Sequence, residues 1–467
     1  MAGIVSYGAY IPRCRLGKET AGWGLPVEKS VANFDEDSIT MAVAAGIDCV
    51  TGLERSAVDA LLFATTTSPY IEKQGAAVVA AAIDLRRNII ANDNTNSLRA
   101  GTLALRSAID AVDAGTANQV VVTAADCRMA APHSEFDRNF GDGAASLLIG
   151  NTKVIANIVD SYSVSDDILD IWRVAGDSFV RTWEDRFILE TGYLKVLTEA
   201  VSQLMQKCNL NPKDIAKAAF YGPNPRRHAE ISRKLGFNPQ TQVQDPLFGK
   251  MGNTGTAHAL MLLIAALEEA KPGDKILLAS YGDGADAYLL EVTSEIEKFT
   301  PRRGIKRHLE SKQVLLDNAN YLRWHGLMGQ VGQGIDGDPP SVSARWRERE
   351  EIDRLHGTKC KTCGLIQYPS QRVCTKCHTK DNWETVRLSD KKGKIFTFSL
   401  DYITSSLDMP LAITIIDFEG GGRGLFLMTD LELSEVHCEA PVEMSFRKMH
   451  SSGGVHNYFW KAIPPRV

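Results

Sequence analysis

The most constraining feature of this chain is an internal repeat. Gly101-Thr102 opens an Ala-rich run at 100–115, and Gly255-Thr256 opens another at 254–270, 154 positions further on. Phe140-Gly-Asp-Gly-Ala-Ala-Ser-Leu-Leu is echoed by Tyr281-Gly-Asp-Gly-Ala-Asp-Ala-Tyr-Leu-Leu, and VDALLFATTTSP (58–69) by DIAKAAFYGPNP (214–225). A repeat of this span predicts an architecture built twice around a pseudo-twofold. The runs LLFATTT (61–67), QVVVTAA (119–125), SLLIG (146–150), KAAFYG (217–222), KILLAS (275–280) and AYLLEV (287–292) read as short strands. Several are apolar throughout, as strands covered on both faces are. Strands alternating with helices give a layered α/β fold in two pseudo-equivalent halves. The two Asn-containing loops that lead into the Gly-Thr helices are expected to meet near the pseudo-axis, where a shared site can form.

The last third of the chain differs. Cys360, Cys363, Cys374 and Cys377 form C-x2-C-x10-C-x2-C. Two such knuckles place four thiolates around one tetrahedral zinc, and four sulfurs close the site, so the expected zinc is structural. The other five of nine cysteines (Cys14, Cys49, Cys127, Cys208 and Cys438) are scattered, and an odd total argues against a disulfide framework. Five short strands follow (KIFTFSLDYI, LAITIIDFE, GLFLMTDLE, PVEMSFRKM and NYFWKAI), which predicts a small β-barrel of the OB type. The basic run PRRGIKRHLESK and the Gly/Pro/Ser-rich VGQGIDGDPPSVS between the two parts read as a helical connector and a loop. The expected domains are 1–160 and 161–300 for the two halves, 301–350 for the connector, 351–385 for the zinc ribbon and 386–467 for the barrel.

A length of 467 residues leaves room for two to three domains. A net charge of −5 argues against a nucleic-acid partner, although zinc ribbons and OB barrels often have one. No apolar run reaches the roughly 18–20 residues of a membrane span. MAGIVSYGAYIPRCRL reads as a first strand rather than a signal peptide, and a cytoplasmic protein is the expectation.

Residues 1–300 resemble the 3-hydroxy-3-methylglutaryl-CoA synthase branch of the thiolase superfamily, on GAYIPRCR (8–15), SPYIEKQ (68–74), SLRAGT (97–102), DILDIWR (167–173), YGPN (221–224) and GNTGTA (252–257). The remainder resembles the zinc-ribbon-plus-OB domains that accompany acyl-CoA thiolases and thiolase-like aldolases. The resemblance implies a coenzyme A thioester as substrate and a homodimer. It also implies a Cys nucleophile, an acid/base Glu, a His and an Asn. At the matching positions this chain has Leu98, Thr66, Tyr221 and Asn253. Three of the four implied groups are therefore missing.

The residues as they stand direct the chemistry elsewhere. A covalent acyl-enzyme needs an activated nucleophile. Leu98 is none; Ser97 and Cys127 are the nearest candidates, and Cys127 reads first as a small buried hydrophobe. Cleavage of a 3-hydroxyacyl-CoA by retro-aldol chemistry, or the reverse condensation, needs only a proton carrier and an oxyanion donor. Tyr221 suits the first role and Asn253 the second. Tyr281 and Asp283, in the YGDG turn that thiolase folds place at the active site, are further candidates; Asp142 in the matching FGDG turn reads as a turn residue. Arg226 and Arg227 are candidates for a CoA phosphate contact. His228 and His258 read as packed residues rather than bases. A synthase with an unconventional nucleophile and an inactive thiolase-fold scaffold are the alternatives.

Overall fold

The computed structural model describes residues 1–23, 27–315, 317–328, 340–404 and 406–466. It divides into two units. The first comprises Met1–Ala32 and Asp37–Leu316, the second Asn33–Glu36 and Asp317–Val467.

The first unit is organised around one nine-stranded sheet. Its first half contributes β1 (Gly3–Tyr10), β2 (Ala60–Ala64), β3 (Ile90–Asn94), β4 (Gln119–Asp126) and β5 (Gly143–Gly150). The second half contributes β6 (Ala156–Ser165), β7 (Lys217–Phe220), β8 (Lys275–Tyr281) and β9 (Gly284–Val292). Outward from the centre the first half runs β1-β5-β4-β2-β3 and the second β6-β9-β8-β7. Both are antiparallel at the first two steps and parallel at the next. A parallel bridge from Ala218 to Val243 stands where the second half would have its fifth strand. The duplication legible in the sequence is thus a duplication of topology. The halves join through a short antiparallel contact, Gly3 opposite Asn157 and Ile4 opposite Ala156.

Two equivalent helices run against the sheet. Helix α1 (Ala100–Asp113) is amphipathic and buries Ala104, Leu105, Ala108, Ile109 and Val112 on one face. Helix α2 (His258–Leu267), entered by a single turn at Gly255–Ala257, is buried on every side, so its sequence, HALMLLIAAL, is apolar all round. Their starts touch: a Cβ on Gly101 would lie 2.6 Å from the Thr256 carbonyl oxygen. That approach requires Gly101, while Gly255 is required by its φ of +63° and by the Asp126 carboxylate, which a Cβ would meet at 2.2 Å.

The connector expected at 301–350 is not one element. Gly304–Glu310 is helical and belongs to the first unit, whereas Asn318–Trp324 and Val342–Arg347 are short helices of the second. The loop expected at 331–343 lies, up to residue 339, outside the described residues.

In the second unit, β10 (His356–Cys360) pairs with β11 (Ile366–Gln367) and β12 (Trp383–Arg387) to carry the cysteine knuckles. Five strands follow: β13 (Gly393–Asp401), β14 (Leu411–Phe418), β15 (Arg423–Met428), β16 (Pro441–Ser452) and β17 (Val455–Ile463). They close a barrel in the order β13-β14-β15-β17-β16, the small barrel expected of these strands. Two of its strands carry buried charge on the face opposite Phe446 and Trp460. Arg447 bonds Asp35 at 3.1 Å, Glu36 at 3.0 Å and Asp430 at 2.5 Å, and Lys461 bonds Asp35 at 2.8 Å, all almost fully buried. This network is why the four residues 33–36 count with the barrel. Among the described residues no helix is long and apolar enough to cross a membrane.

Candidate active site

A cavity of about 840 Å³ opens in the first unit at the ends of the second half's strands. Its buried wall is aromatic: Phe140, Tyr193, Tyr221, Phe248 and Tyr281, with Arg128 among them. Tyr221 follows β7 and Tyr281 ends β8, neighbouring parallel strands, so the sheet itself brings the two side chains together.

Tyr221 is 3% exposed. Burial pushes its hydroxyl pKa up, opposed by the Arg128 guanidinium and by hydrogen bonding from Asn253. Asn253 is fully buried and does not line the cavity. Its Oδ1 accepts from Arg128 Nη2 at 2.8 Å and from the Gly255 amide at 3.0 Å; its Nδ2 donates to the Gly222 carbonyl at 3.0 Å. The oxyanion role expected of Asn253 is corrected accordingly. Its amide is engaged in holding Arg128 and the 222 and 255 loops, one layer behind Tyr221.

The Tyr281 hydroxyl is enclosed and meets no hydrogen-bond partner of good geometry among the described residues. Burial, followed by the negative charge of Asp170, raises its pKa. The hydroxyl sits where a Cβ on Gly192 would be 2.6 Å away, so residue 192 must lack a side chain. Asp170 lines the same cavity at the start of a small hairpin, Ile171–Trp172 with Arg181–Thr182. Tyr193 donates to the Tyr221 carbonyl at 2.9 Å and packs edge-on to the Tyr281 ring at 5.4 Å. Arg128 stacks on Phe140, its Cζ 4.1 Å from the ring centre.

Asp283 is placed differently from the expectation. It adopts φ +47° at the tip of the β8–β9 turn, is exposed, and is not among the residues lining the cavity. What that turn contributes is backbone: the Asp283 carbonyl accepts from Arg99 Nη2 at 2.9 Å, and the Gly282 carbonyl from Ser97 Oγ at 3.0 Å. Arg226 and Arg227 line the outer part of the cavity, with Arg227 paired to Glu230 at 2.7 Å. Asp142 is buried in its turn and accepts from the Ala32 amide at 2.7 Å.

The candidate nucleophiles fare poorly. Leu98 is 6% exposed and packed under Gly282, where a Cβ would come within 2.9 Å of the Leu98 Cβ. Ser97 already donates to the Gly282 carbonyl. The Cys127 thiol is pushed well up by burial and by the carboxylates of Asp142, Asp37 and Asp126, the reverse of thiolate activation. His228 and His258 are lowered to about 4 and about 3, chiefly by burial, so both are neutral at pH 7; neither lines the cavity. Sequence reasoning missed Arg128, Asp170 and Tyr193. Asp170 lies within the DILDIWR stretch, but nothing in its spacing says where a hairpin will carry it.

A second polar cluster closes the first half's strand ends. The Asp126 carboxylate, at the end of β4, accepts from the hydroxyls of Thr65, Thr66 and Thr67, each at 3.0 Å. It also accepts from the amides of Thr66 and Thr256 at 2.7 and 2.8 Å. Thr66, where the resemblance implies a Glu, is thereby tied into this cluster.

In the second unit the four cysteine sulfurs lie within 4.8 Å of one another, with Cys360–Cys377 at 3.6 Å and Cys363–Cys374 at 3.5 Å. A tetrahedral ion with metal–sulfur distances of about 2.3 Å needs sulfurs roughly 3.8 Å apart, so the set fits such an ion. The Thr379 hydroxyl, 3.3 Å from Cys377 Sγ, and the Thr379 amide hold the Cys377 thiol down to about 6. The Cys377 and Lys376 amides likewise lower Cys374. Such donors favour the thiolates that a metal requires.

Comparison with known proteins accords with this division. Residues 205–290 match the family described as 3-oxoacyl-[acyl-carrier-protein] synthase III C terminal, and residues 347–384 match the ChsH2 rubredoxin-like zinc ribbon domain. A hydroxymethylglutaryl-CoA synthase of Methanopyrus kandleri is 33% identical over 337 residues, covering 69% of this chain and 96% of that protein. The chain belongs to the hydroxymethylglutaryl-CoA synthase family. The synthase of Pyrococcus horikoshii is also 33% identical, over 69% of this chain and 95% of that protein. A crystal structure of an HMG-CoA synthase complexed with CoA superposes with a TM-score of 0.63 at 18% identity, over 73% of this chain and 94% of the other. That of 3-oxoacyl-[acyl-carrier-protein] synthase III from Aquifex aeolicus gives 0.57 at 20%, over 62% and 100%. Likeness at those identities speaks for the fold alone. Within this family the present member combines a thiolase-type fold with a zinc ribbon domain.

Proposed function

We propose that this protein is an acyl-CoA carbon–carbon bond enzyme that works without a covalent acyl intermediate, cleaving a 3-hydroxyacyl-CoA by retro-aldol chemistry or running the reverse condensation. The observation that carries this reading is Leu98, buried at the position where the resemblance implies a nucleophile, while the cavity's buried wall offers the phenols of Tyr193, Tyr221 and Tyr281 and, among the described residues, no thiol. In cleavage Tyr221 acts as the phenolate, the form favoured by the Arg128 charge and the Asn253 amide beside it; it takes the 3-hydroxyl proton as the C3–O bond becomes a carbonyl, and giving that proton to C2 regenerates it. The C2–C3 electron pair moves into the thioester as an enolate, and a proton returned to C2 completes the shorter acyl-CoA. Tyr281, set against Asp170, offers a second proton route in which the carboxylate takes the proton that the phenol passes on. Arg226 and Arg227 at the outer cavity suit the CoA phosphates. Zinc on Cys360, Cys363, Cys374 and Cys377 would hold the ribbon, and a homodimer completes the reading.

The test is to incubate the protein with a panel of 3-hydroxyacyl-CoAs and assay for a released aldehyde or ketone together with a shortened acyl-CoA. Intact mass is measured in parallel. The expected result is product without a covalent adduct. An acyl-sized mass increase mapped to Cys127 or Ser97 would transfer the case to a synthase with an unconventional nucleophile. Neither product nor adduct would favour a scaffold.

A further inference from the structure

Arg128 is a buried cation in the cavity wall with bonding capacity to spare. It is 6% exposed and lines the cavity that holds Tyr221. One terminal nitrogen is used, donating to Asn253 Oδ1 at 2.8 Å. Its Nε and its other terminal nitrogen are enclosed and meet no acceptor among the described residues. A guanidinium is always charged and carries five N–H donors in one plane. Buried donors of a charged group left unpaired are costly, and native structures keep them where a ligand completes the set. The face of the guanidinium is occupied by the Phe140 ring, so new bonds must form in its plane. No carboxylate pairs with Arg128 among the described residues. The ligand it awaits is therefore an oxygen bearing negative charge.

We infer that Arg128 binds the thioester oxygen of the substrate and stabilises the enolate that develops there. This rests on the lyase reading above. The thioester oxygen and the 3-hydroxyl of a 3-hydroxyacyl-CoA are separated by only three carbons. A substrate that places its hydroxyl on Tyr221 thus brings its thioester oxygen to the neighbouring side chain. Arg128 is that neighbour, adjacent to the Tyr221 hydroxyl and held by Asn253. The oxyanion function expected of Asn253 passes to the residue that Asn253 holds. A fixed cation in a water-poor cavity matches a charge that appears only along the reaction.

The enolate can be read without knowing the acyl group. Acetyl-CoA and propionyl-CoA are incubated with the full chain in D₂O, and deuterium at the carbon next to the thioester is followed by NMR. Each exchange removes a C2 proton to a cavity base, passes the electron pair to the thioester oxygen, and returns a deuteron from solvent. The wild type is expected to exchange both thioesters. Arg128→Met is expected to exchange roughly 10²–10³-fold more slowly at saturation, with KM changed by no more than a small factor. Arg128→Lys, which keeps the cation and most of the stem, should fall between and guards against a methionine variant that fails to fold. Guanidinium ion added to Arg128→Ala should restore part of the exchange, which a purely structural role would not predict. Exchange in Arg128→Met within threefold of wild type overturns the assignment and leaves the lyase reading standing. A raised KM with normal turnover also overturns it, in favour of a carboxylate carried by the acyl group. A wild type that exchanges neither thioester removes the lyase reading, and this inference with it.

Discussion

Asp126 and Tyr281 end corresponding strands of a duplicated fold, and the polar clusters around them are finished in opposite ways. In the first half, Asp126 receives three threonine hydroxyls and two backbone amides, and every group is matched inside the protein. The other cluster forms where Arg128 of the first half meets Tyr281 of the second; the Arg128 Nε and Nη1 and the Tyr281 hydroxyl find no partner of good geometry among the described residues, and both side chains face a cavity. A folding chain gains nothing from leaving buried donors unmatched, so the open cluster is the one shaped by a ligand and the closed one by stability. The closed cluster ties Thr66 of the first half to Thr256 of the second, so both halves contribute to each cluster.

The comparison breaks most visibly at Tyr221. Tyr221→Phe keeps the ring and removes the proton carrier. Turnover of a cleaved 3-hydroxyacyl-CoA should fall about 10²–10⁴-fold with KM little changed, while the thermal midpoint stays within a few degrees. Equal losses of turnover and stability would mean that the open cluster is structural after all. The mirror experiment is Asp126→Ala, which strands five donors and should cost the first unit at least about 3 kcal/mol in denaturant titration. Turnover per folded molecule should stay within a few-fold of wild type; a selective loss of turnover would erase the distinction between the clusters.

The cysteine quartet supplies a third case, a cluster to be closed by an ion. Metal analysis should give about one zinc per chain. Cys374→Ser should destabilise the second unit by several kcal/mol while the first unit's unfolding transition keeps its midpoint. Loss of both transitions together, or a zinc content far below one, would refute it.

The smallest effect sharpens the account of one of the two matching turns. Asp142 in the FGDG turn is buried, and burial raises its carboxyl to about 6 from an ordinary 3.8. The folded state therefore favours the protonated form. That contribution is complete below about 3.8 and is lost as pH rises through 6. Asp142→Asn should remove this part of the pH slope, shifting the profile of the thermal midpoint by a few degrees. A pH slope that persists unchanged in Asp142→Asn would show that the burial of this turn does not set it.

The framework was legible because it depends on residues with few substitutes. Gly101 must admit the Thr256 backbone and Gly255 the Asp126 carboxylate, so a Gly-Thr pair stands at both places and betrays the duplication. Four cysteines at knuckle spacing and five strands separated by turns announced the ribbon and the barrel. Tyr221 was legible because it falls at a strand end within a motif. The rest of the cavity was not, since its chemistry depends on long-range placement. Arg128 meets Asn253 across 125 residues, and Asp170 reaches Tyr281 from a hairpin whose position no local pattern encodes. Asn253 was found as a residue but not as a role, because the sequence does not say which way an amide faces. Asp283 misled for a similar reason: the turn matters through its carbonyls, and any residue tolerating a positive φ supplies those.

The barrel's buried charges impose an order on biosynthesis. Arg447 and Lys461 need Asp35, which is translated 412 and 426 residues before them. At typical elongation rates of about 5–20 residues per second, residues 33–36 emerge roughly 20–80 s ahead of the cations they neutralise. During that interval two acidic groups, Asp35 and Glu36, must stay hydrated and uncommitted. The C-terminal barrel cannot be finished as an autonomous module, because counterions for its buried cations left the ribosome first. A chain divided between the two units into separate polypeptides would leave a guanidinium and an ammonium facing an incomplete set of counterions, which makes these four residues a covalent reason for the fusion to remain a single polypeptide.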